Sequence, residues 1–434
     1  MERKQSTGRE LIAFSLPLIL SGILQQLYSW ADAFIVGHAE GELPLAAVGA
    51  TLSISSFLIN TITGFTLGLS IMAAQHYGRR DTDTVRRVLR SFLPAGVGAY
   101  AVLSALALVL AAPILRVMAT PEDIFGWAQS YLQIVFAGVP FLACYNLFAA
   151  LLRAVGDTKA AFYAVLLSSA LNVALDVLFI VAFGWGVSGA AAATVVSQAA
   201  MTAFIVLYTR RRYPWMMQGG EGFDRAVFAQ GLRFSVPPAI QNSVTSLGNL
   251  VLQNFMNSFG SVTVLAITTA YRVDCMMLLP IINLGAAISS MTARAKGAGD
   301  KGKIRSCFQT GLGMMVTVAA VLSMVMFLLG ATFVGIFGVT GEALEIGAQF
   351  FRDLSIFYTL FGVGIVLRSV LEGVGDITWC SVIGIGMLGM RILFSYLMRP
   401  YFGGRTIAFA EGAAWTLTLL IFIARMMRVK RKAA

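Results

Sequence analysis

Two acidic residues, Asp32 and Asp176, lie inside long hydrophobic stretches of this chain. A carboxylate in hydrocarbon costs about 2.5 to 3.5 kcal/mol on insertion scales, so such groups are kept for a use. Tyr28 precedes Asp32 by four residues and Asn172 precedes Asp176 by four, so each pair shares one helix face. Thr194 falls at a similar depth in the next hydrophobic stretch. Two carboxylates, an amide, a phenol and a hydroxyl are hard oxygen donors. They suit a small alkali cation, or a proton shared between two acids that cannot both ionise cheaply in a low dielectric. The competing role is structural: the same acids could join a polar network that holds helices together.

The elements that must position these groups are membrane-spanning helices. The chain has 434 residues, 58% hydrophobic and only 12% charged, whereas soluble domains carry about 25% charged residues. Twelve apolar segments stand near 11–37, 45–76, 91–118, 127–155, 160–183, 187–209, 230–257, 262–292, 306–337, 345–371, 377–400 and 407–427. Each can cross about 30 Å of hydrocarbon as a helix, the only open spanning structure that satisfies its own backbone. The first apolar run is too long for a secretory leader, so no signal peptide is expected. The net charge of +11 follows topology and does not point to nucleic acid. Arg3, Lys4 and Arg9 precede segment 1, Arg79 to Arg90 follow segment 2, Arg210 to Arg212 follow segment 6, Arg294 to Arg305 follow segment 8, and Arg425 to Lys432 close the chain. The alternate loops 38–43, 184–186 and 340–345 lack Lys and Arg. Both termini are therefore expected in the cytoplasm of a multi-pass protein. On that orientation Asp32, Asp176 and Thr194 all lie roughly 8 to 12 Å below the outer end of their helices. The cysteines Cys144, Cys275, Cys307 and Cys380 show neither zinc nor redox spacing and read as packing residues.

The chain is two copies of one unit. "GLSIMAAQHYGRRD" (68–81) matches "AISSMTARAKGAGD" (287–300), pairing Asp81 with Asp300. "LLRAVGDTK" (151–159) matches "VLEGVGDIT" (370–378), pairing Asp157 with Asp376. "FSLP" (14–17) matches "FSVP" (234–237). Six helices per copy return to the starting side, so the copies run parallel about an axis along the membrane normal. The expected organisation is an N-terminal lobe over 1–209, a cytoplasmic linker over 210–229 and a C-terminal lobe over 230–434. The linker is basic, contains Pro214, Gly219 and Gly220, and is long enough to let the halves move as bodies. The fold class is an all-α polytopic membrane protein with two pseudo-symmetric six-helix lobes and a V-shaped central cavity, opened to either side by rocking.

The turn sequences "YGRRD" (77–81) and "KGAGD" (296–300), the "LRAVGDT" and "LEGVGDI" stretches and "YRVD" (271–274) stand at the boundaries and inside the helices of a twelve-helix pattern that covers essentially the whole chain. Together with two times six helices, they resemble the multidrug and toxic compound extrusion (MATE) family of prokaryotic type. The resemblance implies an antiporter that exports lipophilic, often cationic compounds, driven by inward flow of protons or sodium. It also implies a cation site in the N-terminal half, which Tyr28, Asp32, Asn172, Asp176 and Thr194 match position by position. Asp32 would be the proton-linked carboxylate, with Asn172, Asp176 and Thr194 completing the cage for Na+ or H+. No other cofactor is implied.

The second copy departs from this pattern. Asp32, Asn172 and Asp176 correspond to Leu252, Arg391 and Ser395. Some family members carry a second cation site with acids in segments 7 and 10, but "SVTSLGNLVLQ" (243–253) and "IFYTLFGVGIV" (356–366) hold none. Coupling is therefore expected in the N-terminal lobe alone. Gln241, Asn242, Asn249 and Gln253 place amides on segment 7, and Asn242, Asn249 and Gln253 share one face. They read as cavity lining for substrate or as interhelical hydrogen bonds. Asp274 either binds a cationic substrate or pairs with an arginine. Met276, with Met277, Met314, Met315, Met324 and Met326, offers soft surface suited to varied ligands, or packs the core. Pro17 and Pro237 mark equivalent places where a helix loses a backbone hydrogen bond. Arg391 reads as a packing residue or a ligand, and His38 and His76 stand alone.

Three function classes meet these residues. A cation-coupled exporter of small lipophilic or cationic drugs or metabolites needs acids in the lobe-1 helices, and they are present. A lipid or lipid-linked sugar flippase of the same architecture needs basic lining, for which only Arg272 and Arg391 stand. An enzyme needs a metal or nucleophile motif, and none appears. The expected setting is the plasma membrane of a prokaryote, as a monomer in contact with lipid.

Overall fold

The computed structural model describes residues 6–219 and 222–433, with side chains as far as Val429. Arg3, Lys4 and the linker's Gly220 lie outside the described residues, as do the side chains of Lys430, Arg431 and Lys432. Among the described residues the regular structure is helical throughout. In chain order the helices are α1 (Thr7–Glu40), α2 (Glu42–Gly78), α3 (Thr82–Val117), α4 (Glu122–Val155), α5 (Lys159–Asp176), α6 (Gly186–Arg212), α7 (Pro214–Met217) and α8 (Arg225–Asn257). The second half continues with α9 (Ser261–Met277), α10 (Leu279–Gly297), α11 (Lys301–Gly335), α12 (Gly341–Ser355), α13 (Tyr358–Gly373), α14 (Ile377–Phe402) and α15 (Thr406–Ala433).

Nine helical runs are long and apolar enough to cross a membrane among the described residues, and ten when α12 and α13, bent by 51° at their junction, count as one span. One of these runs, Ile377–Val429, has 53 residues. At 1.5 Å per residue it would reach about 80 Å, far beyond one bilayer. It therefore makes two crossings, α14 and α15, turned at the 3₁₀ segment Gly403–Arg405. The remaining span, α8, falls short on composition because Gln241, Asn242, Asn249, Gln253 and Asn254 interrupt its apolar residues. Among the described residues twelve helical spans result, one for each hydrophobic segment of the sequence.

The repeated motifs are turns with a shared mechanism. Asp81 and Asp300 cap α3 and α11, accepting from Thr84 N at 3.0 Å and Lys303 N at 2.8 Å. Burial works to raise the Asp81 carboxyl, but the hydrogen bonds from Thr84 and the His76 ring outweigh it and hold it below the ordinary aspartate range. Gly156 and Gly375, the glycines of the two "VGD" stretches, have φ of 100° and 101°. A side chain in that region of backbone space costs about 1 to 2 kcal/mol. Gly375→Ala should therefore lower the melting temperature of the purified protein, whereas Gly386→Ala, at an open position inside α14, should leave it unchanged or raise it. A thermal melt of both variants in one detergent checks the pair.

The chain forms two compact units. One is Leu16–Ala239; the other is the chain up to Ser15 together with Ile240 onward. The cuts fall inside α1 beside Pro17 and inside α8 beside Pro237 and Pro238, so the boundary does not follow the linker. Within the first unit the linker is tied to α3. Arg87 pairs with Asp224 at 3.1 Å, Arg86 donates to Gln218 O and Arg90 to Met217 O, and Asp224 N donates to Ser91 Oγ at 3.0 Å. In this unit α4 packs on α2, α3 and α6, and α5 packs on α6. In the second unit α10 packs on α11 and α13, α14 on α15, and α12 on α9 and α11. Phe350, Phe351, Leu354, Tyr358 and Trp415 form the centre of its core.

Candidate cation site

Helices α1, α5 and α6 of the first unit carry the acidic site. Asp176 is the last residue of α5, and Asn172 lies one turn before it. Both are buried, at 0% and 1% exposure. Tyr28 and Asp32 on α1 and Thr194 on α6 are half-buried. Directly after Asp176 the backbone widens into a π-helical turn, Val177–Ala182. Such turns release the regular hydrogen-bond ladder and recur at functional positions. The wall around the site is apolar: Val36, Val48, Ile180, Val187, Ala190 and Ala191 pack together with Tyr131.

Asp32 and Asp176 interact electrostatically with one another. Tyr28 feels Asp32, and Tyr131 feels Tyr28 and both acids. The structure thus brings Tyr28, Asp32 and Asp176 to one place and adds Tyr131, a phenol from α4 that the sequence reading did not single out. No motif marks Tyr131; only the packing of α4 against α6 brings it there.

The polar atoms at this place lack partners. Asp32 Oδ1, both carboxylate oxygens of Asp176, and both Oδ1 and Nδ2 of Asn172 are buried without a hydrogen bond. Each such atom costs about 1 to 3 kcal/mol, more when charged. Native proteins retain groups of this kind for a ligand or a reaction. Every free atom except the Asn172 Nδ2 is an oxygen acceptor, which fits a proton or an alkali cation. Among the described residues no three His, Cys, Asp or Glu side chains converge as a transition-metal site would need.

Four acids of the second unit are in the opposite state. Asp353 holds Arg405 in a two-pronged pair at 2.6 and 2.8 Å. Glu372 accepts from Arg368 Nε at 2.7 Å, Glu411 from Arg391 at 3.0 Å, and Asp376 from Arg425 at 2.7 and 2.8 Å. Asp353 and Glu411 lie inside segments 10 and 12, and the sequence reading passed over both. The signal that could have found them is the arginines, Arg391 and Arg405 among them, that this half carries inside or beside its hydrophobic segments.

The amides of α8 divide. Gln241 is buried and its Oε1 accepts from Arg368 at 3.0 Å, an interhelical bond inside the unit. Asn242 is half-buried and Asn249 exposed. Gln253 donates to Asn257 on its own helix at 3.1 Å. Asp274 is buried and accepts from the Tyr358 hydroxyl. Met276 is half-buried, Met315 and Met326 are buried, and Met324 is exposed. Arg272 is exposed, whereas Arg391 is held by Glu411 and by the Tyr271 hydroxyl at 2.7 Å. Leu252 and Ser395, the counterparts of Asp32 and Asp176, are buried, and Ser395 donates to Arg391 O at 2.8 Å.

Comparison with known proteins points the same way. The MatE family profile matches residues 17–178 and again 237–397, one match per copy of the repeat. A probable multidrug resistance protein of Bacillus subtilis, YoeA, is 26% identical over 92% of this chain and 88% of its own length. The multidrug export protein MepA of Staphylococcus aureus is 20% identical over 96% of this chain and 91% of its own. A crystal structure of MATE in a bent conformation superposes with a TM-score of 0.90 at 22% identity, covering 99% of this chain and 97% of that one. A transporter from Pyrococcus furiosus, described as having a binding pocket of reversed polarity, gives 0.90 at 22% identity over 98% and 97%.

Proposed function

This chain belongs to the MatE family of multidrug-efflux transporters, and we propose that it is a secondary antiporter exporting lipophilic, cationic small molecules in exchange for H+ or Na+. The observation that carries the coupling role is the set of unpartnered buried atoms on Asp32, Asn172 and Asp176. A proton or a sodium ion bound there supplies the missing partner and cancels charge held out of water. Tyr28, Thr194 and Tyr131 supply further oxygens around the two acids. Filling the site removes one negative charge and emptying it restores that charge, so occupancy changes the electrostatics of α1, α5 and α6 together. A substrate that binds better to one occupancy state is then linked to the ion gradient through the difference in affinities. The proposed orientation places both termini in the cytoplasm of a bacterial plasma membrane.

The flippase reading gains little support, because of its two basic residues Arg391 is committed to Glu411, and only the exposed Arg272 is left for a phosphate headgroup. The deciding experiment uses purified protein in liposomes loaded with ethidium, under an imposed proton gradient and, separately, a sodium gradient. Ethidium movement under one of them identifies the coupling ion. No movement under either, with flipping of a fluorescent phospholipid in the same vesicles, would replace the exporter with the flippase.

A further inference from the structure

A second buried polar cluster stands in the other unit, away from the groups used above. Asp274 on α9 and Glu411 on α15 are 3% and 5% exposed, and Tyr358 on α13 is fully buried. The Tyr358 hydroxyl donates to Asp274 Oδ1. Arg391 on α14 donates to Glu411 Oε2 at 3.0 Å and to the Tyr271 hydroxyl at 2.7 Å, and that hydroxyl donates to Glu411 Oε2 at 3.1 Å. The Arg391 guanidinium also lies 5.5 Å from the centre of the Tyr271 ring. Asp274 is within electrostatic reach of both Glu411 and Arg391. Ala270, Val273, Phe351, Leu354 and Trp415 close the surroundings with hydrocarbon.

The charges do not balance. Arg391 matches Glu411, which leaves the Asp274 carboxylate as surplus. Among the described residues the other elements packed on α9 bring no second cation to Asp274, because Arg352, the arginine of α12, is exposed. The acid of α12, Asp353, is taken by Arg405. The basic residues of α10 and α11 (Arg294, Lys296, Lys301, Lys303, Arg305) stand at the ends that meet in the 298–300 turn. Arg272 is exposed, and two residues from Asp274 along a helix it points to another side. Cys275 adds no positive charge. An uncompensated carboxylate walled by hydrocarbon is costly, and the usual remedy is neutralisation.

We propose that Asp274 and Glu411 form a second protonation site that holds one proton, carried on Asp274 Oδ2, the carboxylate oxygen that Tyr358 does not bond. Tyr358 orients Asp274 by donating to its other oxygen, and Arg391 keeps Glu411 as the ionised partner. Binding forms one O–H bond on Asp274 as one O–H bond of a hydronium ion breaks, and release returns the proton to water. This site is independent of the exchange role given to Asp32 and Asp176, and it extends ion handling to the half in which the sequence suggested none.

The test is infrared spectroscopy of the full chain, purified with Asp32→Asn and Asp176→Asn in place so that the first site is silent. A carboxylic C=O band at neutral pH that shifts in D2O marks a protonated buried acid, because acids in water are ionised there. One such band is expected. Adding Asp274→Asn or Glu411→Gln should each remove it, since either change leaves one acid balanced by Arg391. Arg391→Met should enlarge the band to that of two acids. Absence of the band, or its persistence in both Asp274→Asn and Glu411→Gln, would overturn the proposal. The two isosteric variants are read separately, so if one fails to fold the other decides.

Discussion

Asparagine at position 32 is expected to give an inserted, folded protein that no longer exports against a gradient. The change keeps the shape of the side chain and removes its charge. Asp32 Oδ1 has no partner in the protein, so no hydrogen bond within the fold is lost at that atom. What is lost is one of two acids that interact electrostatically, Asp32 on α1 and Asp176 at the end of α5. A charged hydrogen-bond partner is worth about 1.5 to 3 kcal/mol, which lowers affinity for the coupling ion roughly ten- to 150-fold. Asp176→Asn should act alike, because both of its oxygens are also free. Stability separates this outcome from a structural role. Replacing an unpaired buried charge by a neutral amide should leave the melting temperature unchanged or raised. If Asp32→Asn exports normally, or loses activity only because it melts early, the coupling assignment is wrong.

Arg368→Met is expected to have the largest effect on stability. Its guanidinium holds Glu372 at 2.7 Å and Gln241 at 3.0 Å, so one side chain joins α13 to α8. Glu372 is 7% exposed, and removing its partner leaves a charge inside the unit. Breaking a buried pair this way costs about 3 to 5 kcal/mol. The double variant Arg368→Met with Glu372→Gln should recover most of that loss, because the penalty lies in the stranded charge. Denaturation of the single and double variants in one detergent measures both. A single variant as stable as the parent would mean that Glu372 reaches water or finds another partner.

Several features were legible in the sequence because they are local. A helix that must cross hydrocarbon needs a run of apolar residues, so the twelve segments follow from composition along the chain. The "VGD" turns were visible as a repeat because each needs a glycine at φ near 100°. Capping by Asp81 and Asp300 depends on residues three apart. The pairs Tyr28 with Asp32 and Asn172 with Asp176 were readable because a helix brings every fourth residue back to one face.

Only the tertiary structure decided which acids are free and which are paired. Asp353 meets Arg405, and Glu411 meets Arg391, through the packing of different helices. Spacing along the chain does not encode that convergence, and a hydropathy profile gives paired and unpaired carboxylates the same weight. The π turn after Asp176 and the approach of Tyr131 were likewise invisible, since both arise from how α4, α5 and α6 pack. The boundary inside α1 and α8 and the docking of the linker on α3 belong to the same class. Local sequence determined the spans, the turns and the residues able to bind a cation. Long-range packing determined which of those residues are left without a partner, because neutralising a buried charge requires a second group brought from a distant part of the chain.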